Sequence, residues 1–182
     1  MNIKEEIKLI TTGLDISALR EAVLSTTPEE WESFTIRQDV FSAQAHTKSI
    51  VLKFNGPMVG IDHPGTTKTF PEFSDWEALV MPIVSKVQEF YPSTVISKLF
   101  MPKLKANGIV QYHMDSGLTL ELVHRIHIPI ITNEKVDFHV GKEMVNMLEG
   151  NAYEINNSHQ HGVKNGGDEA RIHLMVDLYE NT

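Results

Sequence analysis

His113, Asp115 and His161, with Arg171 ten residues past the second histidine, are the residues whose types and order carry the most specific chemistry in this chain. Two imidazoles and one carboxylate fit one face of a ferrous ion and leave the opposite face open to a cosubstrate and dioxygen. The Arg171 guanidinium is planar and permanently charged, a fork matched to a carboxylate. Together the four residues point to a non-haem iron oxygenase that consumes 2-oxoglutarate.

Each part alone says less. A His-x-Asp spacing recurs by chance in a chain with nine histidines. Its setting helps, because residues 108–114 read as a short strand, and in a strand His113 and Asp115 at i and i+2 point to one side. The plainer alternative makes His113 a hydrogen-bonded strand end and Asp115 the start of an Asp-Ser-Gly turn.

The elements that must position these groups follow from periodicity. Residues 15–24 place Ile16, Leu19 and Val23 on one helical face, with Asp15 as the N-cap. Residues 49–54 are a strand, followed by the loop punctuation Asn55-Gly56-Pro57 and Asp62-His63-Pro64-Gly65. Residues 75–91 carry Trp76, Leu79, Val80, Ile83, Val84, Val87 and Phe90 at helical spacing. Ser74 or Asp75 is expected to cap this helix, and Pro82 to kink or split it. From about residue 95 the pattern turns to β, with strands expected at 95–101, 108–114, 121–131, 136–140, 151–157 and 170–179. Many short strands in succession indicate a sandwich or barrel.

Two of these strands alternate in the same way. Ile126, Ile128 and Ile130 share one face and leave Arg125 and His127 opposite. Ile172, Leu174, Val176 and Leu178 leave Arg171, His173 and Asp177 opposite. If both polar faces look inward they line an anion-binding cavity; if outward, they are solvated surface. Pro129 cannot donate to a central ladder, so an edge position or a bulge is expected there.

Composition sets the outer bounds. The chain has 182 residues, 41% of them hydrophobic, enough for one core. A net charge of −8 without a basic block argues against nucleic-acid binding and against adhesion to anionic membrane. No run approaches the roughly 20 apolar residues of a membrane span, and residues 1–6 lack the pattern of a signal peptide. The expected location is therefore cytoplasmic. Cysteine is absent, so thiolate nucleophiles, disulfides and Cys-type zinc sites are excluded, and a metal must be held by imidazole and oxygen.

Five ordered phrases are similar to one known family. They are 108–115 (Gly-Ile-Val-Gln-Tyr-His-Met-Asp), 125–127 (Arg-Ile-His), 153–157 (Tyr-Glu-Ile-Asn-Asn), 161–165 (His-Gly-Val-Lys-Asn) and 171–177 (Arg-Ile-His-Leu-Met-Val-Asp). A fainter echo lies at 46–52. Through them the chain resembles the aspartyl/asparaginyl β-hydroxylases, which are Fe(II)- and 2-oxoglutarate-dependent oxygenases. The resemblance implies a mainly β fold with flanking helices, a double-stranded β-helix or cupin-like jelly roll. It makes His113 and His161 the imidazole ligands and places Asp115 where many bacterial members carry the third, carboxylate ligand. Arg171 would hold the distal carboxylate of 2-oxoglutarate, and Arg125 and His127 would line the cosubstrate and substrate pocket. The family phrase His-x-Val selects His161 over His159, which falls to a loop or a supporting contact. His173 stays open between pocket residue, supporting donor and core histidine.

The expectation is thus a single oxygenase domain, with a mixed α/β part at 1–94 packing on a jelly-roll core at 95–182. It would hydroxylate an amino-acid side chain, in a polypeptide or as a free amino acid such as proline, releasing succinate and CO2. The competing readings are a cupin-type zinc or manganese enzyme and a non-catalytic jelly-roll binding module. Substrate identity and oligomeric state have no legible code.

Overall fold

In the computed structural model, which describes residues 3–32 and 44–181, two antiparallel sheets face each other and helices cover the larger one. The strands are β1 (Ile7–Thr11), β2 (Thr47–Phe54), β3 (Lys68–Thr69), β4 (Thr94–Leu104), β5 (Ile109–His113), β6 (Val123–Ile131), β7 (Val136–Val140), β8 (Glu143–Val145), β9 (Ala152–Ile155), β10 (His161–Asn165) and β11 (Arg171–Glu180). Among the described residues the helices are α1 (Ser17–Ser25), α2 (Pro28–Trp31), α3 (Phe73–Gln88) and α4 (Leu118–Glu121), with a 3-10 turn at Pro57–Val59. The large sheet runs β1-β9-β6-β11-β4-β2-β3 and the small one β5-β10-β7-β8. This is the jelly roll that the resemblance implies. Among the described residues, no helix is long and apolar enough to cross a membrane.

Strand alternation decides what each face of the large sheet does. Ile126, Ile128 and Ile130 of β6 and Leu174, Val176 and Leu178 of β11 meet Leu19 and Val23 of α1 and Val80, Ile83, Val84 and Val87 of α3 in one core. Burying that many aliphatic side chains, at about 1.5–3 kcal/mol each, fixes the register. A slip of one residue would turn the charged set into the helix layer. The opposite face looks toward the small sheet, where Val110, Phe138, Val140 and Val163 form a second cluster.

The N-terminal part does more than pack against the core. It supplies β1, β2 and β3 to the large sheet, so the division expected near residue 94 falls within a continuous sheet. The α1 helix starts at Ser17, and Asp15 Oδ1 accepts from the Ser17 N–H at 3.1 Å without being the N-cap, which is Ile16. The α3 helix starts at Phe73, so Ser74 and Asp75 lie inside its first turn and neither caps it. Pro82 does not split α3; it sits on the exposed side, where water can take the carbonyl that its missing N–H leaves unpaired. Phe90 lies beyond the helix and is exposed.

Pro129 is not at an edge. Strand β6 lies between β9 and β11, and the β6–β11 register breaks between Ile172 and His173, where His173 faces Pro129. The irregularity falls where the ladder would need a proline N–H, so of the two expectations the bulge holds.

Candidate metal centre

His113 ends β5 and His161 begins β10, and the antiparallel register sets them directly opposite. Their ring centroids are 4.4 Å apart. Two residues of β5, Gln111 and Tyr112, separate Val110 from His113, whereas one of β10, Gly162, separates their partners Val163 and His161. The extra residue in β5 is a bulge. A regular strand would send Val110 and His113 to opposite faces, and the bulge lets both line the cavity. Facing it is Gly162, where an added Cβ would stand 2.9 Å from the Val110 carbonyl oxygen. Only glycine allows the two strands to approach there.

Backbone carbonyls orient both rings. His113 Nδ1 lies 2.7 Å from the Gln111 carbonyl oxygen and His161 Nδ1 lies 3.0 Å from that of His159. A carbonyl only accepts, so each Nδ1 carries the proton and each Nε2 keeps its lone pair for the site. The Asp115 carboxylate meets those lone pairs, with Oδ1 3.9 Å from His113 Nε2 and Oδ2 3.7 Å from His161 Nε2. All three donor atoms lie within 4.8 Å of one another, and no other such group of metal-ligating side chains exists among the described residues. Two imidazoles and a carboxylate, with no thiolate in the chain, suit a divalent first-row metal such as Fe(II).

Electrostatics keep the set in its binding form. Burial would raise the Asp115 carboxyl, but Arg125, then His161, His113 and Lys98, outweigh it and hold it below the usual carboxylate range. Burial pushes His161 below the ordinary imidazole value despite Asp115 and the His159 carbonyl. The carboxylate is therefore charged and the imidazole neutral near pH 7, as ligation requires.

The two polar strand faces point inward. Arg125, His127, Arg171 and His173 are 7%, 4%, 3% and 1% exposed, so the solvated alternative does not hold. The first three line a cavity of about 620 Å³ that also contains His113, Asp115 and His161. His173 does not line it; its ring nitrogens lie 2.8 and 2.6 Å from Arg171 Nε and Nη2, and it is the supporting residue. His159 is exposed, with Nδ1 2.6 Å from Glu6; its contribution is the carbonyl that orients His161.

The two arginines differ. Asp177 takes Arg125 Nε at 2.9 Å and Nη2 at 2.7 Å, and Asp115 Oδ2 takes Nη1. No carboxylate reaches Arg171 among the described residues. Its guanidinium lies 5.4 Å from the centroid of the Phe138 ring, and burial pushes its pKa down to about 9. A neutral His173 has one lone pair, so it can accept only one of the guanidinium's five N–H groups. Beside Arg171, His127 stands 5.0 Å from Phe138 and 5.6 Å from His173, centroid to centroid. Both its ring nitrogens are buried without a partner among the described residues. Burial first, then Arg171 and Arg125, keep it well below the ordinary imidazole value.

Two contributors escaped the sequence reading. Lys98 lines the cavity, with Nζ 2.6 Å from the Thr119 carbonyl oxygen and 3.8 Å from Asp177 Oδ2. A lysine inside the apolar run 95–101 was the available signal. Asn157 accepts the Asp115 N–H at 3.2 Å through its carbonyl and donates Nδ2 to the Leu120 carbonyl at 2.7 Å.

The chain is similar in fold to an oxidoreductase of the 2OG-Fe(II) oxygenase family from Burkholderia pseudomallei, at TM-score 0.57 and 9% identity, covering 75% of this chain and 67% of that one. A weaker likeness, TM-score 0.42 at 13% identity, joins it to an oxalate decarboxylase from Lactobacillus farciminis over 74% of this chain and 29% of that one. No curated protein matches the sequence. The family model described as aspartyl/asparaginyl beta-hydroxylase matches residues 2–181, nearly the whole length that carries the sheets, the paired histidines and the buried arginines, and the chain belongs to that family.

Proposed function

We propose that the protein is an Fe(II)- and 2-oxoglutarate-dependent hydroxylase of an amino-acid side chain, in a polypeptide or as a free amino acid, releasing succinate and CO2. One observation carries this reading. The cavity that holds the His113, Asp115 and His161 donors also holds Arg171, a buried cation without a carboxylate partner among the described residues. An unpaired buried charge is costly, and a dicarboxylate cosubstrate is the partner that removes that cost.

His113, Asp115 and His161 would hold the iron, which when bound supplies the oxidising power for hydroxylation with dioxygen and the 2-oxo acid. The chain's own task is placement. The Arg171 fork would fix the far carboxylate of 2-oxoglutarate, with the Phe138 face behind it, and a neutral His127 would donate its single N–H to the bound acid. Val110, Val163 and Phe138 form an apolar part of the cavity wall, which strengthens each charged contact near it. At about 620 Å³ the cavity is within the roughly 300–1,000 Å³ of small-molecule sites.

A zinc or manganese enzyme of the same scaffold would use the three donors but has no need of Arg171. The test is turnover of 2-oxoglutarate to succinate by the purified protein with Fe(II), ascorbate and air. Succinate that depends on Fe(II) and is lost in His113→Ala supports the reading; none, with amino acids and peptides supplied as substrates, would overturn it.

A further inference from the structure

Lys98, Asp177 and Arg125 stand in one row across β4, β11 and β6, because the registers pair Asp177 with Lys98 on one side and with Arg125 on the other. Asp177 is fully buried. Its two oxygens take Arg125 Nε and Nη2 side by side. A guanidinium held by such a fork has a fixed plane, so Nη1 has one direction left to point. Asp115 Oδ2 is there.

We propose that Asp177, acting through Arg125, is a positioning residue that presents Asp115 to the metal with one oxygen already engaged and the other free. This rests on the reading of Asp115 as a metal ligand. With Oδ2 held by Arg125, Oδ1, on the His113 side, is the oxygen turned toward the metal.

A second path closes the frame. The Asp115 N–H is held by the Asn157 carbonyl, Asn157 Nδ2 by the Leu120 carbonyl, and Lys98 Nζ by the Thr119 carbonyl. The carboxylate is thus tied at its backbone and at one oxygen to the same short helix, α4, and to the same strand row. The four charges, Lys98, Asp177, Arg125 and Asp115, sum to zero. Neutralising Asp177 would leave Arg125 facing Asp115 alone, and its charge would then compete with the metal for that carboxylate.

The alternative is that Asp177 and Arg125 are a cross-strand ion pair of the core with no bearing on Asp115. A double-mutant cycle separates the two. Anaerobic Co(II) titration, followed by the metal's own visible absorption, is run on the parent, Asp115→Ala, Asp177→Asn and the double variant, with folding checked by circular dichroism. Asp177→Asn is expected to weaken Co(II) binding about 10- to 100-fold and to alter the Co(II) spectrum. The same change on the Asp115→Ala background is expected to move affinity less than about threefold. An equal loss in both backgrounds, or no loss in either, overturns the proposal while the ligand reading stands. Unchanged Co(II) binding in Asp115→Ala alone overturns the ligand reading and the proposal with it. Should Asp177→Asn fail to fold, Arg125→Lys takes its place in the cycle, since a lysine cannot span both carboxylates. Parental Co(II) affinity in that variant would also overturn the proposal.

Discussion

Replacing Arg171 with methionine is expected to change the stability of the ligand-free protein and its affinity for 2-oxoglutarate in opposite directions. Arg171 is 3% exposed, and its guanidinium meets no carboxylate among the described residues. The fall of its pKa from the ordinary arginine range to about 9 corresponds to roughly 5 kcal/mol of unfavourable burial at neutral pH. Part is offset, because the Phe138 face attracts the cation by about 0.5–2 kcal/mol and His173 accepts one N–H. Methionine keeps the length of the side chain and removes the charge, so the ligand-free variant is expected to gain about 1–3 kcal/mol. That gain is a rise of roughly 2–10 °C for a domain of this size. Adding Mn(II) with 2-oxoglutarate at about 100 times its dissociation constant should then stabilise the parent by about 2.7 kcal/mol. The variant should respond little, because losing one partner of a buried charged pair costs about 2–5 kcal/mol of affinity. Thermal unfolding of both proteins, with and without ligand, reads the whole comparison. A ligand-free variant several kcal/mol less stable than the parent, yet equally stabilised by 2-oxoglutarate, would refute the reasoning and make Arg171 a structural residue.

Further outcomes follow from the same geometry. His113→Ala and His161→Ala should each lower anaerobic Fe(II) affinity by more than the roughly 100-fold that loss of a supporting contact costs, with Asp115→Ala milder because water can take its place; calorimetric titration showing unchanged affinity in both histidine variants would remove them as ligands. Burial depresses His127, His161 and His173 below the ordinary 6.5, so below that value the unfolded chain binds protons that the folded chain refuses. Stability is then complete above about pH 6.5 and falls as the pH drops toward 5.5, by up to roughly 4 kcal/mol per pH unit for the three groups; denaturant unfolding of the metal-free protein that is flat over this interval would contradict it. Gly162→Ala drives a Cβ to 2.9 Å from a backbone oxygen and should cost about 1–3 kcal/mol of stability together with about tenfold in metal affinity, whereas parental values in melting and metal titration would show that the strands can part without moving His161.

The parts of the fold legible in the sequence are those where one face of an element is aliphatic. Strands β6 and β11 and helix α3 show it: their stripes recur at strand or helical spacing because each packs on the single core between sheet and helices. Strand β10 was not anticipated as a strand. Residues 161–165 hold one aliphatic side chain between two glycine or asparagine positions, and they are a strand because β5 and β7 pair with them on both sides. Strand β1 was missed for a similar reason: its burial is uneven and its partner, β9, lies far along the chain. In the site, residue types marked out the candidate donors, which the fold brings together, and the arginines, while their surroundings depended on geometry that sequence does not carry. The polar parity of Arg125 and Arg171 is the same, yet Asp177 and Asp115 occupy one, while no carboxylate among the described residues reaches the other. The bulge in β5 is equally invisible, since nothing in 109–113 marks the extra residue that brings His113 beside Val110.

One cavity holding both the metal and the 2-oxo acid is tested by anaerobic titration of the metal-free protein with Fe(II) and then 2-oxoglutarate, watched for the weak visible charge-transfer absorption of the iron chelate. The expected result is a band that appears only when both are present, saturates at one equivalent of each, and is absent in His161→Ala. No band at saturating concentrations, with Fe(II) bound at His113, Asp115 and His161, would contradict the account and favour a metalloenzyme that uses the same donors without the cosubstrate.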